Sequence, residues 1–238
     1  MRYLVDQLES LGFTWAYRVV DTRAFGLPQR RKRVLLLASR TEDPRVPLFG
    51  CDAEEKHAQF NGEQLCGFYW TEGLRGLGWA IDAVPTLKGG SAVGIPSPPA
   101  IWDPRDHSIT TPHIKDAERL QGFPSDWTQC ATDVPGVRQG HRWKLVGNAV
   151  SVPVAQWVGQ RLVDPSGSVP KGSTLPRGVA WPKAAWGAKG SVYEIDVSTY
   201  PIRKKSPSLR DFLKHPRTPL SLRAATGFQS RALVSGLN

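Results

Sequence analysis

The chain has 238 residues, 40% of them apolar, and its 31 Lys and Arg against 21 Asp and Glu give a formal net charge of +10. This length can bury the core of one or two domains, and no run approaches the about 20 apolar residues of a membrane span, which excludes a transmembrane protein. Neither the three cysteines nor the five histidines show metal-ligand spacing, so neither a metal site nor a disulfide framework is expected.

The positive charge is concentrated at the C-terminal end of the chain. Residues 171–238 contain 12 Lys and Arg against 3 Asp and Glu, a net charge of +9, whereas residues 1–170 contain 19 against 18. A basic surface attracts polyanions and makes their binding salt-dependent. A cationic tail that is merely solvated is the alternative interpretation.

The N-terminal stretch predicts a helix followed by two strands. Apolar residues recur with helical spacing over residues 2–12, with Gly12 as the stop, and the acids between them argue against a signal peptide. Residues 15–21 and the apolar run at residues 33–38 are typical of strands, the second buried on both faces. The short link FGLPQRRK between them predicts an antiparallel hairpin.

The basic cluster of that link is expected to bind an anion. Adjacent cations repel one another, so a phosphate or a base edge is the natural partner. The alternative is a solvated loop that shields an edge strand.

Residues 41–108 have a different composition, since their second half is rich in proline and glycine, which favours a surface built from loops. A small aromatic core is expected there, formed by Phe68, Tyr69, Trp70 and Trp79.

A helix is predicted next, with Thr111 as its N-cap and Pro112 at its first position, ending at Gly122. A loop then leads to residue 140.

A further helix is predicted after a tight turn at Gly147-Asn148, a pair that tolerates left-handed backbone. Ser151 is the expected cap, Pro153 lies in the first turn, and an apolar repeat runs from Val154 to Leu162. The free amides at the start of this helix would face whatever the turn holds.

Three blocks of this sequence, in this order, resemble the DNA cytosine-5 methyltransferases. They are QRRKR at residues 29–33, ERLQGFP at 118–124 and GNAVSVPVA at 147–155. The resemblance implies an α/β fold: the C-terminal part of a Rossmann-like, S-adenosylmethionine-dependent methyltransferase with an inserted, loop-rich target recognition domain. It also implies a bacterial or phage protein, and the lack of a signal peptide and of a membrane span in this sequence predicts that the protein is cytoplasmic.

The resemblance divides the chain into four ranges. Residues 1–40 would be a catalytic-core piece, 41–110 the target recognition domain, 111–163 the closure of the catalytic core, and 164–238 a basic, Gly/Pro-rich extension. In the family the RLQGFP block is mostly structural. Thr86-Leu87 resembles a Thr-Leu pair whose hydroxyl contacts a phosphate beside an extruded base.

The resemblance also assigns roles to residues of this chain. Arg33 would bond the cytosine O2, and Arg31 would order its loop and contact the DNA backbone. Asn148, Ala149 and Val150 would line the methionine end of the cofactor. The residues expected to contact DNA are Gln29, Arg30, Thr86, Lys88, Lys204 and Lys205. For the tail, the further hypothesis is phosphate contact by Lys183, Arg203, Arg217 and Arg223.

Three blocks of the family are not found in this sequence: the Pro-Cys nucleophile block, the FxGxG cofactor loop and the acidic ENV block. None of Cys51, Cys66 and Cys130 follows a proline. The chain therefore resembles a C-terminal half, which would share S-adenosylmethionine with an N-terminal half or subunit and act on double-stranded DNA. It could be a split subunit, a truncated or frameshifted product, or a sequence-specific DNA-binding module without catalysis.

Overall fold

The computed structural model describes residues 1–56, 58–71, 76–89 and 97–234 of the chain. The helices are α1 Arg2–Ser10, α2 Arg45–Phe49, α3 Ile114–Leu120, α4 Gln139–Asn148, α5 Val152–Val163, α6 Leu209–Phe212 and α7 Leu222–Val234. The strands are β1 Thr14–Asp21, β2 Gln29–Arg30, β3 Lys32–Ser39, β4 Cys66–Phe68, β5 Ala80–Ile81, β6 Val84–Pro85, β7 Ala100–Trp102, β8 Ile109–Thr111, β9 Ser173–Thr174, β10 Ala184–Ala188, β11 Ser191–Glu194 and β12 Thr218–Pro219.

The chain forms two compact units, each assembled from three separate stretches. The first unit contains Met1–Phe25, Lys32–Lys56 and Pro153–Lys205, and the second contains Gly26–Arg31, His57–Val152 and Ser206–Asn238. The four ranges predicted above concern functional parts and stay a prediction. The two compact units do not follow these four ranges, because stretches that are distant in the sequence share one core.

The first unit is built on a five-stranded antiparallel sheet in the order β3-β1-β10-β11-β9. The predicted hairpin is confirmed, since β1 and β3 pair antiparallel from Thr14 opposite Ser39 to Asp21 opposite Lys32. The predicted helix before it is α1, and Gly12 follows with a φ of +81°. Helix and sheet are thus mixed, as expected for an α/β protein, while the Rossmann-like parallel sheet remains a prediction.

Strand β3 is less buried than the sequence predicts. Leu35 and Leu37 pack against one core of the first unit, and Leu36 and Ala38 pack against the other. All four side chains are only half-buried. The reason is that β3 lies at the edge of the sheet, whereas the apolar run suggested a strand covered on both faces.

The basic C-terminal stretch supplies part of the first unit's core. Strand β10 pairs with β1, and its residues Ala184 and Ala185 have no exposed surface. Ile195 and Tyr200 are buried beside them. Part of the range predicted as a basic extension is therefore an integral part of the sheet of the first unit.

A buried arginine ties the C-terminal stretch to β1. Arg18 has no exposed surface and donates to the carbonyl oxygens of Leu48 at 2.9 Å and Ser198 at 2.9 Å. It also pairs with Asp52. Because a buried charge must be paired to be tolerated, this arrangement fixes the sequence-distant segments against the strand.

The second unit contains the sheet β12-β8-β7-β4-β5 and a short parallel pair, β2 with β6. Leu65, Ile101, Leu120 and Val146 lie in its core. Each large apolar side chain buried in this way contributes roughly 1.5–3 kcal/mol to folding. This core brings helices α3 and α4 against the β2–β6 pair.

Helix α3 begins two residues later than predicted. Its N-cap is His113, whose Nδ1 accepts a hydrogen bond from the backbone N–H of Lys115 at 3.2 Å. Thr111 is unavailable as a cap because it belongs to β8 and pairs with Thr218. The predicted stop is confirmed, since Gly122 has a φ of +88°.

The predicted turn at Gly147-Asn148 is wrong, because both residues form the last turn of α4. Three residues separate α4 from helix α5, which begins at Val152, and Pro153 lies in the first turn of α5 as predicted. Trp157 is buried on the predicted apolar face, but Leu162 is 54% exposed. The sequence placed the break in the chain two residues too early.

The predicted aromatic core is also partly wrong. Phe68 is 3% exposed and buried as expected, and Tyr69 and Trp70 are half-buried. Trp79 is 41% exposed. It lies just before β5, the last strand of its sheet, where less of the chain covers it.

Candidate functional site

Gln29 joins three separate stretches of the second unit. Its side chain has no exposed surface, and Nε2 donates to the carbonyl oxygen of Leu120 at 2.8 Å and to Oε1 of Gln121 at 3.2 Å. Its Oε1 accepts from the backbone N–H of Leu87 at 3.1 Å. A fully buried amide cannot reach DNA in this conformation, so the geometry assigns Gln29 to holding these loops rather than to the DNA contact expected from the sequence.

Arg31 makes the second set of links. Its side chain donates from Nη2 to the carbonyl oxygen of Ala149 at 2.8 Å, and from Nη1 to those of Leu87 at 3.3 Å and Gly147 at 3.4 Å. The residue is 5% exposed. This geometry suits the loop-ordering part of the role expected for Arg31 and leaves little surface for a DNA phosphate.

Gln121 completes the network from the RLQGFP block. Its Nε2 donates to the carbonyl oxygen of Val146 at 2.9 Å, and its Oε1 accepts from the Ser151 hydroxyl at 3.1 Å. Its carbonyl oxygen accepts from the backbone N–H of Val152 at 2.8 Å. The three blocks singled out in the sequence thus form one buried hydrogen-bond network, which we call the block network.

Two glycines allow the backbones in this network to approach closely. A Cβ on Gly147 would overlap the backbone of Lys88 and Gly89. A Cβ on Gly89 would lie 2.8 Å from Oδ1 of Asn148. Gly147 is therefore required by close packing and not by a left-handed backbone, while the next glycine after Gly89, Gly90, lies outside the described residues.

The residues expected to meet the cofactor stand at the surface of the network. Asn148 and Val150 are exposed, Val150 by 66%, and Ala149 is half-buried. The carbonyl oxygen of Ala149 is engaged by Arg31 and, at 3.5 Å, by Gln121. The exposed carboxamide of Asn148 is thus the polar side chain that this turn presents to solvent.

The remaining DNA-contact candidates of the second unit cluster beside the network. Nη1 of Arg30 donates to the carbonyl oxygen of Trp79 at 2.9 Å, and the Thr86 hydroxyl donates to the carbonyl oxygen of Arg30 at 3.1 Å. Nζ of Lys88 lies 3.9 Å from the centre of the Tyr69 ring. Burial lowers the pKa of Lys88 from its ordinary value. Arg30, Thr86 and Lys88 are therefore brought together as the sequence suggests.

Arg33, Lys204 and Lys205 belong to the first unit, whereas the other candidates belong to the second. Arg33 is exposed on β3, and its Nη1 donates to the carbonyl oxygen of Lys32 at 2.8 Å. Both lysines are exposed, and the backbone N–H of Lys204 is held by the carbonyl oxygen of Ala24 at 2.9 Å. Their side chains are accessible to an anion.

Part of the C-terminal charge is neutralised within the second unit. Arg210 donates to both carboxylate oxygens of Asp103, at 2.7 and 2.8 Å, and Arg217 reaches the same carboxylate at 3.4 Å. The Arg210 guanidinium holds the pKa of Asp103 well below its usual range. Arg217 is thus engaged internally and is a weak phosphate candidate, while Lys183, Arg203 and Arg223 are exposed.

Sequence reasoning missed the buried charged residues of this unit. Glu118 has no exposed surface, accepts from the backbone N–H groups of Asp126 at 2.6 Å and Thr128 at 2.9 Å, and pairs with Arg142 at 2.9 Å. Burial by itself would raise the pKa of Glu118. Hydrogen bonds from Thr128 and Arg142 outweigh the effect of burial, so the pKa is lowered. The signal in the sequence was the RLQGFP block itself, which was assigned a structural role.

The cysteine buried in the second unit does not have the character of an activated nucleophile. Cys66 is buried in β4, and burial raises the pKa of its thiol. Cys51 is half-buried, Cys130 is exposed, and all three are free. A nucleophilic cysteine is normally found where neighbours lower its pKa.

Two general features follow from the described part of the chain. Among its helices, none combines the length and apolar character that crossing a membrane requires. Within the same residues, no group of three or more His, Cys, Asp and Glu side chains is arranged to hold a metal ion.

Comparison with known proteins identifies the family of this chain. Residues 1–67 match the C-5 cytosine-specific DNA methylase family. The chain belongs to this family, as its sequence blocks predicted.

Individual relatives are Type II methyltransferases. The chain is 49% identical over 240 residues to the Type II methyltransferase M2.BsuMI of Bacillus subtilis (strain 168), an alignment that covers 98% of this chain and 61% of that relative. It is 26% identical to M.NaeI of Lentzea aerocolonigenes, over 68% of the chain and 44% of the relative, and 23% identical to M.MspI of Moraxella sp, over 68% and 41%. The chain thus spans between 41% and 61% of the length of these relatives.

Proposed function

We propose that this chain is the part of a cytosine-5 DNA methyltransferase that binds DNA and closes the cofactor pocket. The complete enzyme would transfer a methyl group to carbon 5 of cytosine in a specific duplex sequence, in a restriction-modification setting like that of the Type II relatives. The block network supports this proposal most directly, because it joins the three family blocks through buried hydrogen bonds.

The proposal includes a second polypeptide segment that supplies the nucleophile. Carbon 5 of cytosine reacts only after a thiolate has added to carbon 6, and an activated thiolate needs a depressed pKa. Cys66 has a raised pKa, and none of the three cysteines follows a proline. More than a third of the M2.BsuMI relative lies outside the match, and a segment equivalent to it would carry the cysteine.

The first unit offers a surface for such a segment. Within the described residues β3 pairs with β1 alone, so the backbone groups along its other side can accept a further strand. Apolar side chains with large exposed fractions occur on the same unit: Tyr3 78%, Leu4 48%, Leu11 59% and Val34 50%. Contiguous exposed apolar groups mark a surface that a partner covers, and these side chains are the candidates for such a surface.

The turn after α4 fits one wall of a site for S-adenosylmethionine, which would supply the methyl group when bound. The exposed carboxamide of Asn148 can both donate and accept hydrogen bonds, as the charged amino and carboxylate groups of such a ligand require. Val150 offers 66% of its surface beside it for apolar contact. Arg31 holds the Ala149 carbonyl and so keeps this wall in place.

Arg33 is the residue of this chain proposed to act on the base. A cytosine is unreachable while stacked in the duplex and must be flipped out before reaction. An exposed guanidinium can then donate to the cytosine O2 and stabilise negative charge that develops on the ring. The accessibility of Arg33, in contrast to the burial of Arg31, supports this division of roles.

The alternative is a sequence-specific DNA-binding module without catalysis, which includes a truncated, inactive product. Two features of the second unit favour this alternative. The unit has its own core, and it holds Arg30, Thr86 and Lys88 together. Such a module would need neither Asn148 nor Arg33.

Methyl incorporation from labelled cofactor into duplex DNA separates these possibilities. The chain would be assayed alone and with a separately expressed polypeptide that corresponds to the unmatched part of the M2.BsuMI relative. We expect incorporation only in the mixture, its loss in Arg33→Ala, and its retention in Lys32→Ala. No incorporation in the mixture, with DNA binding retained, would leave the binding module as the better explanation.

A further inference from the structure

An exposed tryptophan is held rigidly beside the basic residues of the second unit. Trp79 is 41% exposed, yet its ring stacks on Phe68 with a centroid distance of 5.9 Å and an interplanar angle of 27°. Its ring also lies 5.9 Å from that of Trp102. Phe68 and Trp102 belong to the paired strands β4 and β7, so the indole is fixed on a sheet.

The same residue is tied to the basic loop through its backbone. The carbonyl oxygen of Trp79 accepts from Nη1 of Arg30 at 2.9 Å, and the carbonyl oxygen of Arg30 accepts from the Thr86 hydroxyl at 3.1 Å. This link uses one N–H of the Arg30 guanidinium. The Arg30 side chain is half-exposed, so its positive charge lies beside Trp79 and remains accessible to solvent. The arrangement places a rigid aromatic surface beside positive charge.

We propose that the indole of Trp79 contacts DNA directly and contributes the apolar, salt-independent part of binding by the second unit. This inference rests on the proposed DNA-binding function and adds a residue to it. Proteins that bind duplex DNA combine polar and basic contacts to the phosphates with apolar contacts to base edges in the grooves. Arg30 holds the backbone of Trp79 and provides positive charge for a phosphate, while the Trp79 indole provides the apolar contact with DNA.

A second exposed tryptophan of the same unit provides a matched control. Trp127 is 57% exposed and stacks on Phe123 with a centroid distance of 5.2 Å and an interplanar angle of 17°. Its loop is held by the Glu118 carboxylate. Trp127 therefore resembles Trp79 in exposure and ring stacking, but the backbone of its neighbours Asp126 and Thr128 is held by an acidic side chain and not by the basic loop.

The test measures binding of the full chain to a labelled 20-base-pair duplex of random sequence at several salt concentrations. We expect Trp79→Ala to weaken binding by at least about 5-fold, as truncation of a tryptophan that anchors an interface does, with the slope of log K against log salt unchanged. Arg30→Ala should reduce that slope by about one unit, because one phosphate contact is removed. Trp127→Ala should bind as the unsubstituted chain does.

A footprinting measurement on the unsubstituted chain covers the case in which Trp79→Ala does not fold. Hydroxyl radicals oxidise accessible indoles, and DNA should protect Trp79 while Trp127 remains reactive. Unchanged affinity in a folded Trp79→Ala variant, or equal oxidation of Trp79 with and without DNA, would overturn the role of Trp79 and leave the proposed function standing. An unsubstituted chain that binds no duplex at all would overturn both.

Discussion

Nη2 of Arg31 donates to the carbonyl oxygen of Ala149 at 2.8 Å, across 118 residues of sequence. The guanidinium therefore joins the end of strand β2 to the turn between α4 and α5. Because Arg31 also reaches the carbonyl oxygens of Leu87 and Gly147, one buried side chain holds three backbone segments of the second unit.

Replacement of Arg31 should destabilise the protein, while replacement of Arg33 should not. Arg31→Ala leaves buried carbonyl groups without a charged donor, and we expect the free energy of unfolding to fall by about 2 to 4 kcal/mol. Arg33 is exposed, so Arg33→Ala should change it by less than about 0.5 kcal/mol. Urea unfolding followed by circular dichroism measures both. Equal effects of the two substitutions would show that Arg31 does not stabilise the fold more than Arg33 does.

Gln29→Ala tests whether this residue holds the fold or binds DNA. Three buried polar groups lose their partner, and we expect a loss of about 2 to 4 kcal/mol in the free energy of unfolding. Gln7→Ala, at an exposed position of α1, is the control and should have little effect. If Gln29→Ala has the same free energy of unfolding as the unsubstituted chain but fails to bind DNA, the role implied by the family resemblance is right and the structural role is wrong.

Gly147→Ala should disrupt the packing of α4 against the loop that contains Lys88 and Gly89. An added methyl group would overlap backbone atoms that cannot rotate away, and overpacking of this kind costs about 1 to 3 kcal/mol or more. Gly227→Ala, within α7 of the same unit, meets only the flexible end of Arg231 at 3.4 Å. That control should be neutral or stabilising, since alanine favours a helix by up to about 1 kcal/mol over glycine. Thermal unfolding of the two variants gives the comparison.

Asp103 makes stability of the second unit dependent on acid. Hydrogen bonds from Arg210 lower its pKa in the folded state, so the stabilisation is complete above the ordinary aspartate pKa of about 4 and is lost as the pH falls further. We expect Asp103→Asn to cost about 1 to 3 kcal/mol at pH 7 and less at pH 3. The urea midpoint at both pH values measures this.

The exposed pair of Asp43 and Arg45 serves as the control for Asp103. Their side chains are 40% and 35% exposed, and exposed pairs contribute about 1 kcal/mol or less. Asp43→Asn should therefore leave the urea midpoint almost unchanged at pH 7. A loss as large as that in Asp103→Asn would show that burial is not what gives Asp103 its effect on stability.

The first unit should lose stability in alkali between about pH 10 and pH 12. Burial, with a smaller contribution from Glu194, raises the pKa of Tyr17 to about 12, and burial raises that of Tyr200 to about 12. A raised pKa favours the neutral phenol in the folded state, so its stabilisation is present below the unfolded-state pKa of about 10 and is lost as the pH rises through the folded value. Circular dichroism during alkaline titration measures the transition.

Tyr17→Phe tests the contribution of one phenol to that transition. The variant lacks the hydrogen bond to the Pro182 carbonyl at 2.8 Å and should be about 1 kcal/mol less stable at pH 7. Its alkaline transition should be weaker but present, because Tyr200 still titrates. An unaltered transition would show that Tyr17 does not couple to folding.

Local patterns in the sequence were sufficient for several elements. Helix α1, the antiparallel hairpin and the stop at Gly122 were predicted because spacing of apolar residues and glycine conformation act within a few neighbours. The start of α3 was predicted too early, because Thr111 belongs to a strand that pairs with Thr218. The turn after α4 was also predicted too early, because Gly147 lies within α4, where it packs closely against Lys88 and Gly89. Nothing within ten residues of either position signals these partners.

The sequence alone determined the family and which of its blocks are present, because these depend on residue identity and order. Only the tertiary structure decided which of the three basic residues Arg30, Arg31 and Arg33 are accessible, and that the basic C-terminal stretch supplies a core strand. Burial and hydrogen bonding depend on segments that lie about a hundred residues apart in the chain. No local pattern of charge or hydropathy encodes which of those segments will meet.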